Sequence, residues 1–259
     1  MPLANDLAAM LPDEPRWLET RAMLASSDAV VTGGNTVDSG FVVRVVRGAV
    51  SAVAVVGQPP PRSIADAVVG TTELTPVLAQ PADAPHVAEA LRHRSGPELR
   101  QTGDAWTRER AILHLRDAAV SCAAPAADVR LLSRSDPLEH LPAGLRHEMT
   151  HAQAFAPVAA VFIGGQPVSF CYPVWTTQRL WDVSIDTLEA FRGRSLGAAA
   201  VLFITEVMRR SGREPVWGAL ESNQASLRLG AKLGFKPVGE IAVFSRGGWV
   251  FLSGGFTGA

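Results

Sequence analysis

Apolar and polar positions along the chain follow two periods, and the switches between them mark the elements. In the first half, residues 3 to 10 and 14 to 26 carry helical spacing. FVVRVVRG and AVSAVAVVG (residues 41 to 57) are β-branched runs that predict a hairpin, and QPPPRS then breaks the pattern. TPVLAQ, APHVAEALRHR and AILHLRD continue as short strand and helix candidates.

The second half is more regular. DVRLLSR predicts a strand, DPLEHLPAGLRHEMTHA a helix, and PVAAVFIGGQPVSFCYPVW a hairpin turning at Gly164-Gly165. A strand LWDVSIDTL follows, then a helix from about Ser195 to Arg210 with Leu196, Ala200, Phe203 and Val207 as its apolar face. PVWGAL, a helix from Asn223 to Leu233, and the strands KPVGEIAVFS and GWVFLSG complete the chain. Strands crossed by helices, with hairpins at either end, imply an α/β fold with a mixed sheet covered by helices. SCAAPAAD (residues 121 to 128) has no periodicity and separates halves of similar size. The boundary is expected there, giving a first α/β domain over 1–125 and a second over 126–259.

Charge and composition narrow the partner. The net charge is −1 and no block of like charges occurs, so neither a nucleic-acid surface nor a polybasic membrane anchor is expected; that lysine occurs only at Lys232 and Lys236 decides little. The start MPLANDLAAMLPDEPRW has no basic, apolar leader pattern, and no run of about eighteen apolar residues follows. The expectation is a cytoplasmic protein, monomer or homodimer, acting on a small molecule. Cys122 and Cys171 are too isolated for a disulfide framework and are expected as core thiols.

Two stretches carry candidate chemistry. His147, Glu148 and His151 in LRHEMTHAQ spell H-E-x-x-H, which on a helix sets two imidazoles on one face for zinc. The pattern fixes only three positions, and no context singles out a third ligand; Glu189 and Glu206 are the nominal ones. No metal is therefore expected. The second stretch is VSIDTLEAFRGRSLGAAAVLFITEVMRR, where a strand feeds the loop Arg192-Gly193-Arg194-Ser195-Leu196-Gly197 and a helix N-terminus. Unpaired amides, a small residue and two arginines there form a cradle for a pyrophosphate. Downstream, ESNQASLRLGAKLGFKPVGE reads as an Asn-capped helix stopped at Gly234 before a strand opened by Phe235.

Together these motifs resemble the GNAT superfamily of acyl-CoA-dependent N-acyltransferases. Arg192 to Gly197 is similar to the family's Arg/Gln-x-x-Gly-x-Gly/Ala loop, with Ser195 replacing the first Gly. Asn223, Ser226 and Lys232-Leu233-Gly234-Phe235 are similar to its closing element. The resemblance covers about residues 127 to 255 and is nearest to the branch with an extra N-terminal α/β region; residues 1–125 could be a degenerate second copy, since both halves pair a hairpin with helices.

The resemblance implies N-acetyl transfer from acetyl-CoA to a primary amine by direct attack. It assigns the pyrophosphate to the loop amides of Gly193, Arg194, Ser195, Leu196, Gly197 and Ala198 beside Arg192, and the pantetheine arm to the backbone of Ile185 and Thr187, with Asn223 and Ser226 nearby. Asp182, Asp186 and Glu221 are the candidates for the base. Alternation puts Asp182, Ser184 and Asp186 on one strand face, and Val183, Ile185 and Thr187 on the other. Trp175, Trp181, Trp217 and Tyr172 lie around the expected cleft, where core packing competes with acceptor binding as their role. The family's thiolate-protonating tyrosine falls at Gly230 here. A non-catalytic acyl-CoA-binding module is accordingly the rival reading, and a zinc hydrolase the third.

Overall fold

A computed structural model describes residues 4–48, 50–72, 75–94, 105–117 and 125–246. In chain order its elements are α1 (Ala4–Met10), α2 (Leu18–Leu24), β1 (Val30–Gly33), β2 (Phe41–Arg47), β3 (Val50–Val56), α3 (Pro61–Ala67), β4 (Val77–Ala79), α4 (Ala84–Arg94) and β5 (Thr107–Arg116). Then come β6 (Asp128–Leu131), α5 (Ala143–Phe155), β7 (Ala159–Ile163), β8 (Gln166–Tyr172), β9 (Leu180–Asp182), β10 (Ser184–Thr187), α6 (Leu196–Arg209), β11 (Glu214–Leu220), α7 (Gln224–Lys232) and β12 (Phe235–Ser245). The expected strand GWVFLSG and Cys122 lie outside the described residues.

The elements form a mixed α/β fold on two sheets. One has eight strands in the order β1-β2-β3-β4-β12-β5-β11-β9, the other four in the order β10-β8-β7-β6. The hairpins at β2–β3 and β7–β8 stand where β-branched alternation puts them. The second hairpin turns on Gly164 and Gly165 at φ 59° and 80°, left-handed values that glycine adopts without steric cost.

Three local readings shift. Residues 136 to 142 stay outside α5, which starts only at Ala143, because Pro142 has no N–H and caps the helix instead. The QPPPRS stretch is not wholly a breaker: Pro61 opens α3, since proline's fixed φ suits a first helical turn. In α6 the buried face centres on Ala200, Val201, Ile204 and Met208, with Leu196 and Phe203 at its margin. A run of alanines lets the sheet approach that side closely.

The four-stranded sheet sorts its side chains by parity. Ala160, Phe162, Phe170 and Tyr172 face α5, where Leu145, Met149 and Ala152 form the expected stripe. Ala159, Val161 and Cys171 face α6 instead.

The large sheet runs through the division expected near residue 125. β5, from the first half, lies between β11 and β12, and β12, from the second, lies between β4 and β5. Read from either side the pattern repeats: β3 pairs β4 in parallel and β9 pairs β11 in parallel, and each pair then meets the other half's long strand antiparallel. The halves have thus exchanged a strand each. One buried cluster joins Leu7, Leu18 and Phe41 to Leu180, Val216 and Ile241 across them.

Exchange makes each half depend on the other for a central strand. Residues 126–259 expressed alone should show no cooperative thermal transition, because β11 and β12 lose the strand between them; a sharp transition in that fragment would contradict the exchanged-strand core.

Candidate active site

The site begins where one strand changes partners. β9 pairs β11 in parallel through Val216, and the Val183 N–H adds a last bond to the Val216 carbonyl at 3.0 Å. From Ser184 onward the chain pairs with β8 in the other sheet. β10 is an outer strand of that sheet, so one of its edges is without a strand neighbour among the described residues. Between β10 and β11 opens a cleft of about 440 Å³.

Its floor and walls are the residues of the cradle. Ile185, Asp186 and Thr187 of β10, Arg192 to Ala198 of the loop and α6, and Trp217, Asn223 and Ser226 all line it. The expected alternation holds: Ser184 and Asp186 are buried, while Ile185 and Thr187 are half-open toward α6. Gly197 lets α6 come close to β10, since a Cβ there would lie 3.3 Å from Ile185 Cγ2. Gly193 and Ser195 are left-handed at φ 74° and 60°. Serine tolerates this region worse than glycine, by about 1–2 kcal/mol, which is the physical content of the departure at that position. No side chain caps the start of α6, so its first amides point into the cleft with the positive end of the helix dipole.

Several cleft residues are held by their own bonds. Thr187 shares a hydrogen bond with Ser169 Oγ at 2.7 Å, and Arg192 Nε donates to the Thr187 carbonyl at 3.3 Å. Asn223 caps α7 by accepting from the Ser226 N–H at 3.0 Å, and Ser226 Oγ accepts from Trp217 Nε1 at 3.0 Å. Trp217 also covers Gly230, where a Cβ would meet indole atoms at 3.2 Å. No tyrosine stands on that side of the cleft.

The three carboxylates read as bases fall in three environments. Glu221 is exposed and ion-paired with Arg110, which holds its carboxyl below the ordinary range. Asp182 is 5% exposed, and its Oδ1 accepts from the backbone N–H groups of Val174 and Trp175 at 2.8 and 2.7 Å. That carboxylate ties down the 173–182 loop rather than facing the cleft. Asp186, also 5% exposed, lines the cleft and accepts from Tyr172 Oη at 2.9 Å.

Tyr172 leads to a residue whose role sequence reading had tied to metal. Its hydroxyl lies 2.6 Å from Glu148 Oε1, so Glu148 and Asp186 flank one phenol. The single hydroxyl hydrogen serves one carboxylate at a time. Burial, then the nearby Asp186 charge, pushes Glu148 up to about 7. The signal for Glu148 was its register: it sits three residues after Leu145 and four before Ala152, in line with the buried stripe. Among the described residues no three His, Cys, Asp or Glu side chains gather closely enough to hold a metal ion.

The chain is similar to known proteins in part of its sequence and in its fold. Residues 159–244 match the model of the family described as GNAT acetyltransferase. The matched residues make up about a third of the chain and lie in the half that holds the cleft. The uncharacterized N-acetyltransferase YdfB of Bacillus subtilis is 32% identical over 88 residues, 34% of this chain and 34% of that protein. The match thus spans about a third of that relative's length. A GCN5-related N-acetyltransferase-like protein from Streptococcus suis superposes with a TM-score of 0.66 at 16% identity, over 93% of this chain and 95% of its own. A putative GNAT-family acetyltransferase from Novosphingobium aromaticivorans gives 0.59 at 16%, over 90% and 96%. Both structures share the fold across nearly the whole chain.

Asp182 makes stability pH-dependent. Burial pushes its carboxyl up to about 8, against backbone hydrogen bonds that pull it down, with the buried Glu19 adding to the rise. An acid whose folded pKa is raised stabilises fully below its unfolded value and loses that contribution as pH climbs through the folded value. Thermal stability should therefore fall between about pH 4 and pH 8, and Asp182→Asn, which keeps an oxygen for Val174 and Trp175, should flatten the fall. An unchanged slope in the variant would move the effect to other groups.

Proposed function

We propose that the chain transfers the acetyl group of acetyl-CoA to the primary amine of a small molecule by direct attack. The observation that carries this reading is the parting of β10 from β11 beside the uncapped N-terminus of α6. The cleft fits the cofactor in three ways: amides at residues 196 to 198 suit a pyrophosphate, an open strand edge suits an amide-bearing arm, and Gly197 leaves room for close approach. When bound, acyl-CoA supplies an acyl thioester whose thiol is a tolerable leaving group, with a free pKa of about 8.5.

The protein's own work is positioning and proton removal. β10 orients the acceptor side, with Asp186 at the cleft wall. Its carboxylate takes the proton that the attacking ammonium must shed before the new C–N bond forms and the C–S bond breaks. Tyr172 and Glu148 extend that acceptor into the protein. Asp186 is the base in this reading, and Asp182 and Glu221 act through structure.

The rival is an acyl-CoA-binding module without turnover. Trp217 packed over Gly230 favours it, because no phenol is there to protonate a leaving thiolate. The two part on amine-dependent thiol release.

Gly197→Glu should weaken acetyl-CoA binding at least about tenfold, roughly 1.4 kcal/mol, by setting a carboxylate at the helix N-terminus; calorimetry with unchanged affinity would remove the cleft as the cofactor site. Asp186→Asn should lower kcat by about two orders of magnitude with little change in acetyl-CoA affinity. Thiol release at the wild-type rate in that variant would exclude Asp186 as the base.

A further inference from the structure

Next to the carboxylate pair is a second, much smaller cavity of about 20 Å³, between α5 and the turn joining β2 to β3. Arg47, Glu148, His151, Phe155, Tyr172 and Val174 are among its walls. Three of them bring a buried polar atom that has no hydrogen-bond partner among the described residues: Arg47 Nε, Glu148 Oε2 and His151 Nε2. Orphaned buried groups cost about 1–3 kcal/mol each, so three around one cavity call for a common partner. A cavity of this size with three polar walls suits one water molecule, which needs about 10–15 Å³ and two to four partners. The chemistry matches as well: the guanidinium Nε–H donates to the water oxygen, the carboxylate Oε2 accepts one of its hydrogens, and an imidazole nitrogen accepts the other.

We propose that this chamber holds an ordered water completing a proton path from the reaction cleft to solvent, through Asp186, Tyr172, Glu148, the water and His151. This inference rests on the acyl-transfer reading of the cleft. A proton received at Asp186 moves onto the Tyr172 oxygen as the Tyr172 hydrogen passes to Glu148. Rotation of the protonated Glu148 carboxyl turns this hydrogen from the Tyr172 side to the chamber, where it passes to the water as the water gives its own hydrogen to His151 Nε2. The phenol and the water end neutral, both carboxylates end as they began, and His151, half-buried, releases the proton outward. The 2.9 and 2.6 Å hydrogen bonds make the first part continuous.

The surroundings are arranged for transfer rather than storage. Burial first, then Arg47 and His147, lowers the proton affinity of His151, so a proton arriving there leaves readily. Asp186 on β10 and Tyr172 on β8 face Glu148 from the other side. The first half of the chain supplies two parts. Arg47, held over the Phe155 ring at 4.3 Å, aims its Nε at the chamber. Gly48 at φ 56° lets the turn press on His151, whose Cδ2 would lie 2.3 Å from a Cβ at that position.

The test uses the full-length protein. His151→Phe keeps a ring beside Phe155, which His151 stacks against at 4.8 Å, but offers no nitrogen. It should lower kcat about tenfold or more, with acetyl-CoA affinity unchanged. His151→Ala should be slowed similarly and recover when imidazole is added, which a merely structural histidine would not do. Wild-type kcat in His151→Phe, or no recovery with imidazole, would overturn the path. A crystal structure of the wild type separates the two layers of inference. Turnover without density for the water contradicts the relay alone; the water present, with no thiol release from any amine, contradicts the acyl-transfer reading and the relay's purpose with it.

Discussion

The strand that begins at Leu180 serves two sheets, and the site depends on where it changes partner. Through Asp182 it pairs with β11, and after Val183 it pairs with β8. Backbone polar groups need partners, so two parted strands leave edges that something else must satisfy. An extended, amide-bearing molecule can lie there as a further strand would. The uncapped start of α6 sits beside the same opening, because the loop from β10 delivers it there. The cleft and the uncapped helix start beside it therefore share one cause.

The halves differ at the corresponding point in the sheet. In the first half β3, which pairs β4 in parallel, also pairs β2 along its whole length and never leaves its sheet. The helix that follows starts at Pro60 and Pro61, which have no amide hydrogens to offer an anion. The first half lends β5 to the second half's core, and Arg47 and Gly48 to the surroundings of Glu148 and His151. Buried carboxylates are similarly divided between tasks. Asp182 is bonded to backbone and fixes a loop, whereas Asp186 faces the cleft and shares a phenol with Glu148.

Much of this was legible in the sequence, and what was not has identifiable causes. Period-two runs gave both hairpins, and Asn223 and Gly234 marked the ends of a helix through local hydrogen bonding and turn geometry. That residues 192 to 198 border one cleft follows from a strand, a short loop and a helix start that each have a local signal in the sequence. Strand exchange was not readable, since pairing between β5 and β12 joins segments more than a hundred residues apart and leaves no local pattern. Nor was the break at Val183, as LWDVSIDTL alternates without interruption and the partner switch is a property of the neighbours. Glu148 was seen only as part of a metal-like spacing; its true company, Tyr172 and Asp186, comes from strands packed on its helix.

The central claim is that one cleft per chain, opened at Val183, receives acyl-CoA. Hydrogen–deuterium exchange with and without acetyl-CoA tests it directly. Protection should appear over residues 185 to 198, on the open edge of β10 and the start of α6, with none over residues 57 to 64 in the first half. Protection centred on the first half, or no change over 185 to 198 at saturating ligand, would contradict it.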